Sequence, residues 1–387
     1  MVKIFFAMYG TGLAGGVRAI FEVANRLYEK GYDVGIISLG GYHSWFKVKV
    51  PIYYVKPPKV LAPIINPIIK MYKSFRRMHF EGISVNYLDI NGLARKLGFR
   101  VDLIRALTEA LLDFEPDVAI ATWYPTAFSV WLSHINKPLY FVQDFPELVW
   151  EAEGVYGLRL FETTLRLPFH FLANSTFTKS LILKHNRDAK VTVTGVGVDL
   201  NTFYPRNVKI SNSRVKPIVM TIIRSAKCKG GEVALKSLNI INKELPVHAI
   251  LVGRSTVIKK LFSEIKPEFT YSVFESIDDE SLAKLYSSSD VFIFTSYRES
   301  FGLPPLEAMA CGAAVVTTNC GGNMDYAVDG YNSLVVPPGN PEAVAKATLR
   351  VLKDDKLREK LIEGGIKTAK QWTWDKVVDK FEEAIKE

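Results

Sequence analysis

Short apolar runs, each followed by a stretch of helical spacing, recur along the whole chain. In the first part they are VKIFFAM (2–8), DVGIISL (33–39), DVAIAT (117–122), PLYFVQ (138–143), HFLAN (170–174) and KVTVT (190–194). A second series runs PIVMTII (217–223), VHAILVG (247–253), FTYSVFE (269–275), DVFIFTS (290–296), AAVVTT (313–318) and NSLVVP (332–337). Strands of this kind alternating with helices build parallel sheets covered on both faces. Between the two series, GVGVDLNTFYPRNVKISNSRVKP (195–217) is polar and rich in turn formers and reads as an interdomain linker. The pattern predicts an α/β chain of two doubly wound halves, 1–205 and 206–370, facing each other across a cleft. The tail QWTWDKVVDKFEEAIKE (371–387) reads as an amphipathic helix bearing Trp372 and Trp374 that crosses back onto the first half. Ligands of such sheets bind at the carboxyl ends of the strands, so the loops there hold the chemistry.

A length of 387 residues allows two or three domains, each with its own core. Apolar content of 48% and charged content of 23% are those of an ordinary globular protein. The net charge of +9 fits anionic partners such as nucleotides, or simple solvation. Cys228, Cys311 and Cys320 are odd in number and form no C-x-x-C. Neither a disulfide framework nor a zinc site follows, and a reducing cytoplasm is expected. The opening strand runs straight into glycines without a signal-peptide region, and no apolar run reaches the ~18 residues of a spanning helix.

Gly10, Gly12 and Gly15 spell G-x-G-x-x-G between a strand and a helix. Glycines let backbone amides approach an anion, and the helix start adds its positive dipole end, so a diphosphate neighbour is expected. A nicotinamide cofactor would also need an acid at the end of the next strand, to hold ribose hydroxyls. That strand runs into Gly40, Gly41 and Tyr42 instead, which disfavours a dehydrogenase.

The second half carries SYRESFGLPPLEAMACGAAVVTTNCGGNMDYAVDGYNSLVVPPGNPEAV (296–344). Glu299 falls in the loop at a strand end, and Glu307 in the helix that follows. Ser300, Phe301 and Gly302 place amides near that helix's N-terminus, an anion-binding arrangement. A carboxylate among such amides suits neutral hydroxyls, because it accepts paired hydrogen bonds from a sugar diol.

ESFGLPPLEAMACG followed by a strand and a Gly-Gly turn, with its lead-in SLAKLYSSSDVFIFTS, resembles the retaining glycosyltransferases of family 4. The resemblance is dense over 215–387. It is thinner through the Gly15–Gly16 loop, ANSTFTKS (173–180) and GVDLNTFYP (197–205). It implies the GT-B fold of two Rossmann-like domains and transfer of a sugar from a nucleoside-diphosphate donor. TIIRSAKCKGGE (221–232) is similar to the family's Arg-x4-Lys-Gly element, so Arg224 and Lys229 are expected to neutralise the donor diphosphate. The resemblance further implies that Glu299 holds the transferred sugar and Glu307 the ribose. Phe301, Gly302 and Leu303 supply amides to the phosphate, and Gly15 and Gly16 complete the cradle. No Asp-x-Asp occurs in the chain, so neither a metal nor another cofactor is expected.

The chain departs from the family in two places. Where many members carry a histidine, this one has FVQDFPELVW (141–150), so that Asp144 either positions or deprotonates the acceptor or is an ordinary turn residue. Three residues after Gly322 the usual Glu is Asp325. On the acceptor side, residues 56–82 set Val60, Leu61, Ile64, Ile65, Ile68 and Ile69 before Lys70, Lys73, Arg76 and Arg77. This segment is either a core helix with a basic exposed end or a membrane-interfacial piece with its cations on anionic lipid. In the second case the acceptor is a lipid or a lipid-linked glycan. The expected partners are thus a nucleotide sugar and a glycan or lipid-linked acceptor, with no nucleic acid. A sugar-nucleotide-binding subunit without catalysis is the competing reading, and joint retention of Arg224, Lys229, Glu299 and Glu307 speaks against it.

Overall fold

The computed structural model describes residues 1–56, 103–207 and 216–387. Two sheets organise the chain. The first contains β1 (Lys3–Met8), β2 (Asp33–Ser38), β3 (Ile52–Tyr54), β4 (Val118–Ala121), β5 (Lys137–Val142), β6 (His170–Ala173) and β7 (Val191–Val193). Its strand order is β3-β2-β1-β4-β5-β6-β7. The second contains β8 (Ile218–Ile222), β9 (His248–Val252), β10 (Thr270–Phe274), β11 (Val291–Phe294), β12 (Ala314–Thr318) and β13 (Leu334–Val336), ordered β10-β9-β8-β11-β12-β13. Pairing is parallel: Phe5 lies between Gly35 and Ala119, and Met220 between Ile250 and Phe292. In each sheet the order reverses beside the first strand of its series, between β1 and β4 and between β8 and β11. Ligands of open α/β sheets bind at such reversals.

The strands are apolar because both of their faces are covered. Around the second sheet, Val219, Leu251, Val291 and Val316 pack with Leu235, Leu238 and Ile241 of the helix Gly231–Glu244 and with Val344 and Leu349 of the helix Pro341–Lys353. Each fully buried side chain of this size contributes about 1.5–3 kcal/mol. The sequence reading missed β3, a strand of three partly exposed residues that follows Pro51 and is too short for any periodicity.

By contacts the described chain forms two compact units, Met1–Val142 with Thr163–Phe171, and Gln143–Glu162 with Leu172–Glu387. The cut expected at 205/206 follows the sheets; the compact units follow contacts and divide earlier. The helix Pro146–Thr164 is broken at Gly154, whose φ of 71° and ψ of −166° are not helical. The helix Trp374–Lys386 buries Trp374, Val377, Val378, Phe381, Ala384 and Ile385, one stripe at helical spacing. Trp372 lies in the turn before this helix rather than in it. The backbone there docks beside β7: Val198 N donates to Trp372 O at 2.8 Å, and a Cβ on Gly197 would lie 2.4 Å from Trp374 N. Among the described residues, no helix is long and apolar enough to cross a membrane. The basic segment beginning at Lys56 lies, from residue 57 to 82, outside the described residues.

Candidate active site

The loop from β11 to the helix Leu303–Ala310 is held at every turn. Gly302 enters the helix with φ +79°, and Pro304 falls in the first turn, where a missing N–H leaves no bond unmade. Glu299 is 7% exposed; its amide donates to Cys320 O at 2.7 Å, and its carbonyl accepts from Gly322 N at 3.0 Å. Its carboxylate is gripped at both oxygens: Lys229 Nζ donates to Oε2 and Ser296 Oγ to Oε1, each at 2.8 Å. The Lys229 and Glu299 side chains are both 10% exposed.

Lys229 ends the short 3-10 turn Lys227–Lys229 after β8. Gly230 then turns with φ +65°, where a Cβ would lie 2.0 Å from Thr295 O, so the β8 and β11 loops meet backbone to backbone. The Lys229 ammonium stands 5.1 Å above the Phe145 ring. Beside it, desolvation pushes the Asp144 carboxyl up to about 7, with the Lys229 charge pulling the other way. The amides of Lys227 and Cys228 donate to the Glu151 carboxylate, at 2.6 and 3.3 Å.

Glu307 is buried in the helix and accepts from Tyr286 Oη at 3.1 Å. Burial and the Glu307 charge drive the Tyr286 hydroxyl well above its usual range, while the charge of Arg224 opposes them. Arg224 itself is exposed. One unit therefore brings together Arg224, Lys229, Asp144, Glu299, Glu307 and the Ser300–Leu303 backbone.

Of the motifs that were thin in sequence, ANSTFTKS braces this loop. Asn174 Nδ2 donates to Ser300 Oγ at 3.1 Å, and Ser175 Oγ donates to Ser300 O. Asp325 accepts from Thr176 N at 2.8 Å and from Thr176 Oγ1, which ties it to the start of the helix Thr176–His185. The Gly-Gly turn has no space for side chains: a Cβ on Gly322 would lie 1.8 Å from Ser300 O.

Gly15 and Gly16 open the helix Gly15–Glu29 in the other unit. A Cβ on Gly12 or Gly15 would meet nothing within 4 Å, so that loop presents backbone to open space. After β2, Gly40 O accepts from Thr11 N at 3.1 Å, and a Cβ on Gly41 would lie 2.6 Å from Thr11 N. Glycine backbone packed against Thr11 thus stands where a dinucleotide site carries its ribose-binding acid. The three cysteines are buried, and burial pushes Cys228 up to about 11 and Cys311 up to about 12, which suits packing rather than nucleophilic attack.

Ser296, Tyr286, Asn174, Ser175 and Glu151 were not singled out from the sequence. Four of them act on partners many positions away, and no local pattern marks such a pairing; only Ser296, three residues before Glu299, had a short-range cue.

A family model described as glycosyl transferases group 1 matches residues 205–368. A D-inositol 3-phosphate glycosyltransferase of Xylanimonas cellulosilytica is 27% identical over 97% of this chain and 94% of its own length. An N,N'-diacetylbacillosaminyl-diphospho-undecaprenol alpha-1,3-N-acetylgalactosaminyltransferase of Campylobacter jejuni is 24% identical over 57% of this chain and 61% of its own. Among solved structures, Anabaena HepE in complex with UDP and glucose superposes with a TM-score of 0.76, 17% identity and 100% of both chains covered. Sucrose-phosphate synthase of Thermosynechococcus elongatus gives 0.74 with 17% identity over 98% of each chain. The two-sheet architecture is GT-B, and the group 1 match over residues 205–368 together with the glycosyltransferase relatives supports a sugar-transferring enzyme of the family 4 type.

Proposed function

We propose that this glycosyltransferase moves a sugar from a nucleoside-diphosphate donor to an acceptor hydroxyl with retention of anomeric configuration. The observation that carries the reading is the Lys229–Glu299 pair at the head of the Leu303–Ala310 helix, with Glu307 on the same helix. Arg224, Lys229 and the amides of Phe301, Gly302 and Leu303 receive the diphosphate, and the family resemblance adds Gly15 and Gly16. Glu299 accepts from hydroxyls of the transferred sugar, and Glu307 from the ribose. As the bond from the anomeric carbon to phosphate breaks, negative charge grows on the leaving group, and fixed cations there lower the barrier. The acceptor oxygen attacks the same face, and its proton passes to the departing phosphate oxygen. Asp144, titrating near neutrality beside Lys229, orients or deprotonates the acceptor.

Cations held by the fold do the work that a divalent metal does elsewhere, so turnover is metal-independent. One relative is named for D-inositol 3-phosphate and another for N,N'-diacetylbacillosaminyl-diphospho-undecaprenol, and the second supports a glycan or lipid-linked acceptor here. A cytoplasmic setting with peripheral membrane contact through 56–82 is part of the reading, supported by the apolar run before Lys70, Lys73, Arg76 and Arg77.

The test is a thermal-shift panel of UDP-, GDP-, ADP- and dTDP-sugars, followed by NMR assignment of the product anomer with and without EDTA. One donor is expected to stabilise the protein, and the product keeps the donor's configuration in EDTA. An inverted product, or turnover abolished by EDTA and restored by Mg²⁺ or Mn²⁺, refutes the mechanism.

A further inference from the structure

Ser300 sits where its loop meets the segment Asn174–Thr178, and a chain of hydrogen bonds fixes the direction of its hydroxyl. Ser175 Oγ donates to Ser300 O and accepts from Thr178 N at 3.0 Å. A carbonyl only accepts and an amide only donates, so both roles of the Ser175 hydroxyl are set. Thr178 Oγ1 lies 3.2 Å from this committed oxygen, and its own proton goes to Asn174 Oδ1 at 2.7 Å. With Oδ1 occupied as acceptor, the Asn174 amide turns Nδ2 towards Ser300 Oγ, at 3.1 Å. Asn174 is 2% exposed, and Ser175 and Thr178 are fully buried, so water does not scramble the sequence of donors. Ser300 Oγ is therefore an acceptor on this side. No acceptor among the described residues takes its proton, and Ser300 is only half-buried.

We infer that Asn174 is a positioning residue: with Ser175 and Thr178 it aims the Ser300 hydroxyl as a hydrogen-bond donor at a phosphate oxygen of the bound sugar nucleotide. The inference rests on the donor site proposed above. Ser300 stands between Glu299 and the amides that open the Leu303–Ala310 helix, where the helix end favours an anion. A hydroxyl whose lone pair is occupied by Asn174 offers that anion its proton, and a hydrogen bond to a charged oxygen is the stronger kind.

The experiment is calorimetric titration with UDP, GDP, ADP and dTDP and with the matching sugar nucleotides, on wild type, Asn174→Ala, Ser300→Ala and the double variant. Each single change is expected to weaken the preferred nucleoside diphosphate about tenfold, and the double variant binds no more weakly than either. Asn174→Asp weakens it as much, because its second carboxylate oxygen takes the Ser300 proton and turns the hydroxyl away. Should Asn174→Ala unfold, Thr178→Val carries the same expectation, since it removes the proton that fixes the Asn174 amide. Full affinity in Asn174→Ala, or additive losses in the double variant, overturns the inference. A loss confined to the sugar nucleotides overturns the phosphate assignment. Wild type that binds no nucleotide overturns the donor site itself, and this inference with it.

Discussion

Replacing Lys229 by Met keeps an unbranched apolar stem and removes the ammonium that lies over the Phe145 ring and 2.8 Å from Glu299 Oε2. At that separation the gross attraction is about 6 kcal/mol for an effective dielectric near 20. Desolvation of both groups cancels much of it in the wild type. The variant keeps the cost of a carboxylate that is 10% exposed and loses its counter-charge. Breaking a buried pair at one end costs about 3–5 kcal/mol. The Ser296 hydrogen bond to Oε1 survives and contributes about 1 kcal/mol, which places the expected loss at the lower end, about 3 kcal/mol. For a cooperative unit of this size that corresponds to a midpoint about 9 °C lower. Adding Glu299→Gln removes the stranded charge, so Lys229→Met/Glu299→Gln recovers most of the stability. Turnover does not return, because loss of one preorganised cation costs about 10²–10³ in kcat. Thermal melts monitored by circular dichroism, alongside donor turnover of the same samples, read both quantities. A single variant melting within about 2 °C of wild type, or a double variant no more stable than the single, refutes the assignment of this pair as buried and mutually compensating.

The Asp144 carboxyl stands at about 7 in the folded protein against an ordinary 3.8. The folded state therefore holds that proton more tightly than the unfolded one, and the stability it contributes is full below pH 4 and lost as pH rises through 7. Melts across this range should show the decline in wild type and a flatter profile in Asp144→Asn; identical profiles would remove Asp144 as its source. Gly322→Ala places a methyl 1.8 Å from Ser300 O, so the loop must move: donor affinity should fall at least tenfold in titrations, and unchanged affinity would show that the turn yields freely.

Much of this architecture was legible because buried parallel strands leave unbroken apolar runs, as in VKIFFAM and DVFIFTS. The site was legible where chemistry is local: Glu299 to Glu307 span one loop and one helix, and Arg224 to Lys229 one loop. What escaped is non-local. Lys229 meets Glu299 across 70 positions and Asn174 meets Ser300 across 126, and nothing in either segment encodes the other. The role of ANSTFTKS as a brace follows only once β6 delivers Asn174 and Ser175 to the Ser300 backbone. Asp144 was ambiguous for a related reason: whether an aspartate after a strand is solvated depends first on what buries it and then on the opposing charge of Lys229, which another part of the chain supplies.

The docking of Trp372 and Trp374 against Gly195 and Gly197 also sets an order of events during synthesis. A ribosome releases Val191–Val198 long before it reaches Trp372, and for that interval the segment that follows β7 lacks the backbone that later pairs with Val198 and packs on Gly195 and Gly197. β7 is the neighbour of β6, and the end of β6 runs into the residues that hold Ser300. Domains usually mature from the N-terminus as they emerge; here the edge of the first sheet waits for residues 372–386. Chains interrupted before Trp372 would carry every residue of the proposed donor site and still lack the backbone that closes on Gly195 and Gly197, just past the strand beside its brace.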